Sequence, residues 1–184
     1  MSKKIMVLLS IVEQGSGKKL INALKSMNIK VNLQTVGFGT APTEMMDIFG
    51  LGTNDKDVII SLGSKNDIKE MVSKFGEASQ SLSKYGGLTI VLDLLASSRV
   101  LCEILNFGGN QNSEKENINM QNEHQTNLIV IAVNQGFSED VMQAARKAGA
   151  TGGTVIKGRL ADVEQFAEFI NTKADEEREI LFIL

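Results

Sequence analysis

The sequence predicts an α+β fold written as two copies of one strand–helix–strand–strand unit, and three observations carry that expectation. Apolar runs of strand length alternate with segments whose apolar residues recur at three- and four-residue spacing. The stretch "VEQGSGKKLINALKSMNIKVNLQTVGFG", starting at Val12, lies over "VNQGFSEDVMQAARKAGATGGTVIKGRL", starting at Val133, without a gap. With a shift of one residue, "KDVIISL" (56 to 62) then matches "REILFIL" (178 to 184). Internal repetition of this kind fixes the architecture before any single element is considered.

Taken in order, "IMVLLSIV" is a strand that bends at Gly15 into a helix with Leu20, Ile21, Leu24 and Met27 on one face. "VNLQTVGFG" is the second strand. A short amphipathic segment follows, with Met45, Met46, Ile48 and Phe49 apolar and Pro42 at its start, capped by Thr40 or a neighbour. "KDVIISL" is the third strand. "NDIKEMVSKFGEASQSL" places Ile68, Met71, Val72 and Phe75 on one helical face, and "GGLTIVLDLL" is the fourth strand. The order β-α-β-β-α-β is that of the split βαβ, or ferredoxin-like, arrangement. "SSRVLCEILNF" (97 to 107) reads as a short closing helix.

Residues 108–126, "GGNQNSEKENINMQNEHQT", hold almost nothing that could be buried and read as a flexible polar linker. The second copy repeats the first strand, a helix with Val141, Met142, Ala145 and Ala148 on one face, and the second strand. It adds an amphipathic segment (Val163, Phe166, Phe169, Ile170) and ends in its third strand. The expected organisation is therefore tandem ferredoxin-like (βαββαβ) repeats, the second incomplete (βαββ). Residues 1–107 form the first repeat with its closing helix, 108–126 the linker and 127–184 the second repeat. Three strands and one helix leave part of a sheet uncovered, so an apolar edge is expected that a neighbouring subunit or further chain would cover.

Composition narrows the function. The chain has 184 residues, 42% of them hydrophobic, and no apolar run near the ~20 residues of a membrane helix. Its start, "MSKKIMVLLSIVEQ", lacks a small-residue cleavage site, so no signal peptide is expected. A net charge of −3 with scattered basic residues argues against nucleic acid. Cys102 and His124 are the single cysteine and histidine, which rules out a disulfide framework, the usual zinc sites and a Cys–His nucleophile pair. A cytoplasmic protein is expected. Asp175, Glu176 and Glu177 read as a turn before a strand, and no acid, base or nucleophile constellation points to an enzyme.

"SIVEQGSGKKLINAL" imitates a phosphate-binding loop but fails its pattern. Counting back five residues from Gly17 reaches Val12 rather than glycine, and Lys19 stands where a Ser or Thr is needed. The second copy keeps Gln-Gly here and drops the second glycine and both lysines, so Gly15 and Gly136 read as bends and Lys18 and Lys19 as surface charge. A better anion candidate is "ATGGTVIKGR". Lys157 and Arg159 are two apart on a strand and share a face, beside Gly152, Gly153 and Gly158. The alternative is an ordinary solvated strand face. In the alignment Lys157 replaces Val36 and Arg159 replaces Phe38, so a phosphate site here would not be duplicated in the first copy.

"VNQG…A.KAGATGGTVIKGR" with "EEREILFIL", and "GFGTAPTEMMDIFGLG" in the first copy, resemble the divergent, P-II-like branch of the P-II nitrogen-regulatory family in a tandem-repeat form. The resemblance covers most of both repeats and implies signal transduction: an adenine nucleotide or other small effector bound between units of an oligomer, and regulation of a partner protein rather than catalysis. It implies ligand-binding roles for Gly37, Gly39 and Thr40, and for Gly152, Gly153, Lys157, Gly158 and Arg159, with ATP, ADP or AMP as candidate effectors and no obligatory cofactor. The family's long loop with a modifiable tyrosine has no counterpart, since Tyr85, the single tyrosine, lies before the fourth strand. The competing expectation is a structural or interaction module that keeps the fold without the nucleotide site.

Overall fold

The computed structural model describes residues 4–38, 55–77, 87–105, 127–161 and 177–184. In chain order the elements are β1 (Ile5–Glu13), α1 (Gly17–Ser26), β2 (Val31–Phe38), β3 (Asp55–Ser64), α2 (Lys65–Glu77), β4 (Gly87–Asp93) and α3 (Arg99–Ile104), then β5 (Ile129–Asn134), α4 (Ser138–Lys147), β6 (Gly153–Ala161) and β7 (Glu177–Ile183). The linker 108–126, Pro42, Tyr85 and the amphipathic segments around Met45 and Phe166 lie outside the described residues.

The strands form a seven-stranded sheet in the order β4-β1-β3-β2-β6-β7-β5, and every paired neighbour is antiparallel. The fold is thus mixed, with four helices accompanying one antiparallel sheet among the described residues. Both halves share an order: β2-β3-β1 in the first is matched by β6-β7-β5 in the second, and the halves meet at a β2·β6 seam. There Asn32 faces Ala161, Leu33 faces Leu160 and Gln34 faces Arg159. Continued two residues further, that register sets Val36 opposite Lys157, which are equivalent positions in the repeat.

One face of the sheet carries α1, α2 and α4. Strand alternation sends Leu8 and Val12 of β1 and Ile59 of β3 to this face, where they pack with Leu20, Ile21 and Leu24 of α1 and Ile68 and Met71 of α2. α1 is amphipathic in register with this surface, its buried residues being Gly17, Leu20, Ile21 and Leu24. Polar groups on the same face are satisfied pairwise: the Ser61 hydroxyl donates to Asn32 Oδ1 (2.7 Å), and Asn32 Nδ2 donates to the Ile29 carbonyl (3.1 Å). Fully burying such groups without partners would be costly.

Among the described residues the second half has a smaller core cluster, with Met142 of α4 against Leu181 and Ile183. The reason is visible in equivalent residues. Leu8 is fully buried beneath α1 and α2, while its counterpart Ile129, on a strand paired only with β7 among the described residues, is 55% exposed. The expected exposed apolar edge is therefore present at β5, together with exposed Leu128 and Val130. The closing helix expected near 97–107 is α3, started by Ser98, whose hydroxyl accepts the Leu101 N–H at 3.3 Å.

Candidate functional site

A side-chain row crosses the helix-bearing face at the level of the two strand-to-helix bends. Val12 pairs with Asp57 and Asp57 with Val36; beyond the seam Lys157 pairs with Glu179 and Glu179 with Val133. The row is palindromic about the seam in the repeat's own terms: Val12 matches Val133, Asp57 matches Glu179, and Val36 matches Lys157.

The outer members of the row explain the glycine-rich loop. Gly15 (φ 85°) and Gly136 (φ 91°) both turn in the left-handed region, where a residue without Cβ is unstrained. Each turn aims two backbone N–H groups at one carboxylate. Asp57 Oδ2 accepts from Gly15 and Gly17, both at 2.9 Å. Glu179 Oε2 accepts from Gly136 at 3.1 Å and Ser138 at 3.0 Å. The position a phosphate would take at a helix N-terminus is thus held by the protein's own acid.

The two halves solve the same spacing differently. A Cβ added at Gly17 would lie 2.8 Å from both Asp57 Oδ2 and Gln34 Nε2, so the glycine lets the short acid approach. At the matching position Ser138 has a side chain, and the acid opposite is the longer glutamate. The Ser138 hydroxyl above all, then the Gly136 and Ser138 N–H groups and nearby Lys157, hold the Glu179 carboxyl below its ordinary range, against the opposing effect of lost hydration.

At the centre of the row is a cleft of about 350 Å³, lined by Gln34, Thr35 and Val36 from the first half and Lys157, Gly158, Arg159 and Glu177 from the second. It lies over the seam, and the Thr35 hydroxyl donates across it to the Lys157 carbonyl (2.5 Å). Gln34, Val36, Lys157, Arg159 and Glu177 belong to the helix-bearing face by register. The cleft can take an anion between the ammonium and guanidinium groups, with Glu177 setting a negative limit on one side. Val36 and Phe38, exposed at 73% and 67%, add apolar surface at the end of β2 that a flat ring could cover.

The expected site residues separate into groups. Lys157, Gly158 and Arg159 come together in the cleft. Gly153 is a packing glycine: an added Cβ would meet Met142 Sδ at 2.9 Å and the Phe182 carbonyl oxygen at 3.0 Å. Gly152 borders open space. Gly37 lies on β2 facing away from the cleft, beside Val58, whose Cγ2 an added Cβ would approach to 3.1 Å. Gly39 and Thr40 fall outside the described residues.

Sequence reasoning missed two cations. Lys56 (3% exposed) and Arg178 (6%) are buried, and Lys56 Nζ and Arg178 Nη2 have no hydrogen-bond partner among the described residues. They are equivalent under the one-residue shift, and that shift was the available sign that both halves keep a base before an acid (Lys56-Asp57, Arg178-Glu179). Among the described residues no group of three His, Cys, Asp or Glu side chains could hold a metal ion, and no helix is long and apolar enough to cross a membrane. Compared with protein-family models, curated proteins and solved structures, the chain matches none.

Proposed function

We propose that the protein is a P-II-like regulator that binds a small anionic effector, such as an adenine nucleotide, between its two repeats and passes that state to a partner protein. The observation that carries this reading is the seam cleft, where Lys157, Gly158 and Arg159 of the second half meet Gln34, Thr35 and Val36 of the first. Its volume of about 350 Å³ suits a small molecule, near the lower end of the roughly 300–1,000 Å³ range of ligand pockets. The reading takes the two halves as tandem ferredoxin-like repeats. Supporting it are the β4-β1-β3-β2 order with α1 and α2 on one face, and the matching β5, α4, β6 and β7. It places the protein in the cytoplasm as an oligomer whose contacts cover the β5 edge. An effector in the cleft touches both halves at once, so its binding would set the seam and report through it.

Thermal unfolding with millimolar ATP, ADP or AMP tests the proposal. A ligand of the native state at a hundred times its Kd adds about 2.7 kcal/mol, so at least one nucleotide raises Tm, and Lys157→Ala with Arg159→Ala removes the rise. No shift with any nucleotide would leave an interaction module without a ligand site. That second reading is favoured by one observation, that Asp57 and Glu179 already fill both helix N-terminal turns.

A further inference from the structure

The face of the sheet opposite α1, α2 and α4 holds the two cations that the seam cleft does not use. Strand alternation puts Lys56 there, since its neighbour Asp57 points toward the α1 turn, and Arg178 likewise, since Glu179 points toward the α4 turn. In the ladder Lys56 lies between Glu13 and Gly37, and Arg178 lies between Asn134 and Gly158. A seam-side glycine thus pairs with each cation in the ladder.

We propose that Lys56 and Arg178 are a pair of equivalent oxyanion sites, one in each half, each taking a phosphate or carboxylate group on this face. Both side chains are more than nine-tenths buried, and both end in a nitrogen without a partner among the described residues. A buried cation that lacks hydrogen bonds is strongly unfavourable unless an anion completes it. Random strand variation rarely buries a base at all. Here both copies bury one at the same place, although the residues differ and so do their outer neighbours, Glu13 and Asn134. The common requirement is a positive group beside a glycine.

The halves are graded. Glu13 stands next to Lys56 in the ladder and Asn134 next to Arg178, so across the ladder, among the described residues, the first cation neighbours a carboxylate and the second an amide. Arg178 is therefore the stronger site. The sites are distinct from the seam cleft, whose cations project from the other face of β6.

The test is thermal unfolding of the full chain across a phosphate series and, separately, an acetate series at fixed ionic strength. With wild type, each occupied site adds about 3–5 °C to Tm per tenfold rise in the anion beyond its Kd. Arg178→Met removes most of that slope and raises Tm in anion-free buffer, because a similar-sized apolar chain replaces an uncompensated charge. Lys56→Met removes the smaller remainder, and Arg178→Lys keeps the slope. A slope with phosphate alone assigns a phosphoryl ligand, and one with acetate alone a carboxylate. The proposal is overturned if wild type and the double Met variant share one slope, or if Arg178→Met lowers Tm in anion-free buffer while the slope persists.

Discussion

Removing the Asp57 carboxylate should unfasten the first helix from the sheet. In the native chain its Oδ2 accepts the Gly15 and Gly17 N–H groups, both at 2.9 Å, and the residue is 5% exposed. Asp57→Ala leaves two donors at the start of α1. The Gly17 N–H is buried and stays unsatisfied, while the Gly15 N–H is only partly buried and recovers a bond to water. Hydrogen bonds to a charged group contribute about 1.5–3 kcal/mol each, and losing a helix cap costs about 0.5–2 kcal/mol. With one donor rescued, the expected loss is about 2–4 kcal/mol. In a chain of this size that corresponds to a Tm lower by roughly 4–16 °C. Asp57→Asn keeps an acceptor and loses only the charge, so it should fall between the two. Urea unfolding followed by circular dichroism gives the difference directly, with the m-value unchanged if only stability has moved. An Asp57→Ala midpoint matching wild type within about 0.5 kcal/mol would refute the argument that this acid holds the loop.

Two further outcomes follow from the same geometry. Glu179 is held below its ordinary range by the Ser138 hydroxyl first, so its contribution to stability is present above the unfolded value, about pH 4.3, and is lost as pH falls through the lower folded value. Wild type should therefore lose more stability than Glu179→Gln over that interval, and parallel pH profiles would contradict it. Gly158→Val should destabilise by about 1–3 kcal/mol, because a Cβ there sits 3.0 Å from Ile180 Cδ1 and 3.1 Å from the Gln34 carbonyl oxygen. Gly152→Ala, with nothing within 4 Å, should be near neutral; equal effects in thermal unfolding would show that these glycines do not differ in packing.

Much of the fold was legible because the repeat is local. The bends at Gly15 and Gly136, the apolar faces of α1 and α4, and the strand after each helix all follow from residues close in sequence, where periodicity and turn chemistry act. The join between β2 and β6 was not legible, since it pairs Asn32 with Ala161 and no pattern in either strand specifies the other as a partner. Asp57 was hidden for a similar reason: it caps a turn some forty residues earlier, and in a list of residues it resembles any acid at a strand start. Of the candidate site, Lys157 and Arg159 were readable from their two-residue spacing. Lys56 and Arg178 were passed over because a charge on a strand is ordinarily solvated, and only tertiary burial distinguishes these two.

The central claim is that a small anion binds at the seam and touches both halves. Amide chemical-shift mapping with the nucleotide that raises Tm tests it most directly. Saturable shifts are expected at Gln34 to Val36 and at Lys157 to Arg159 together, with one dissociation constant. Shifts confined to one half, or centred on the Gly15–Gly17 turn, would contradict it.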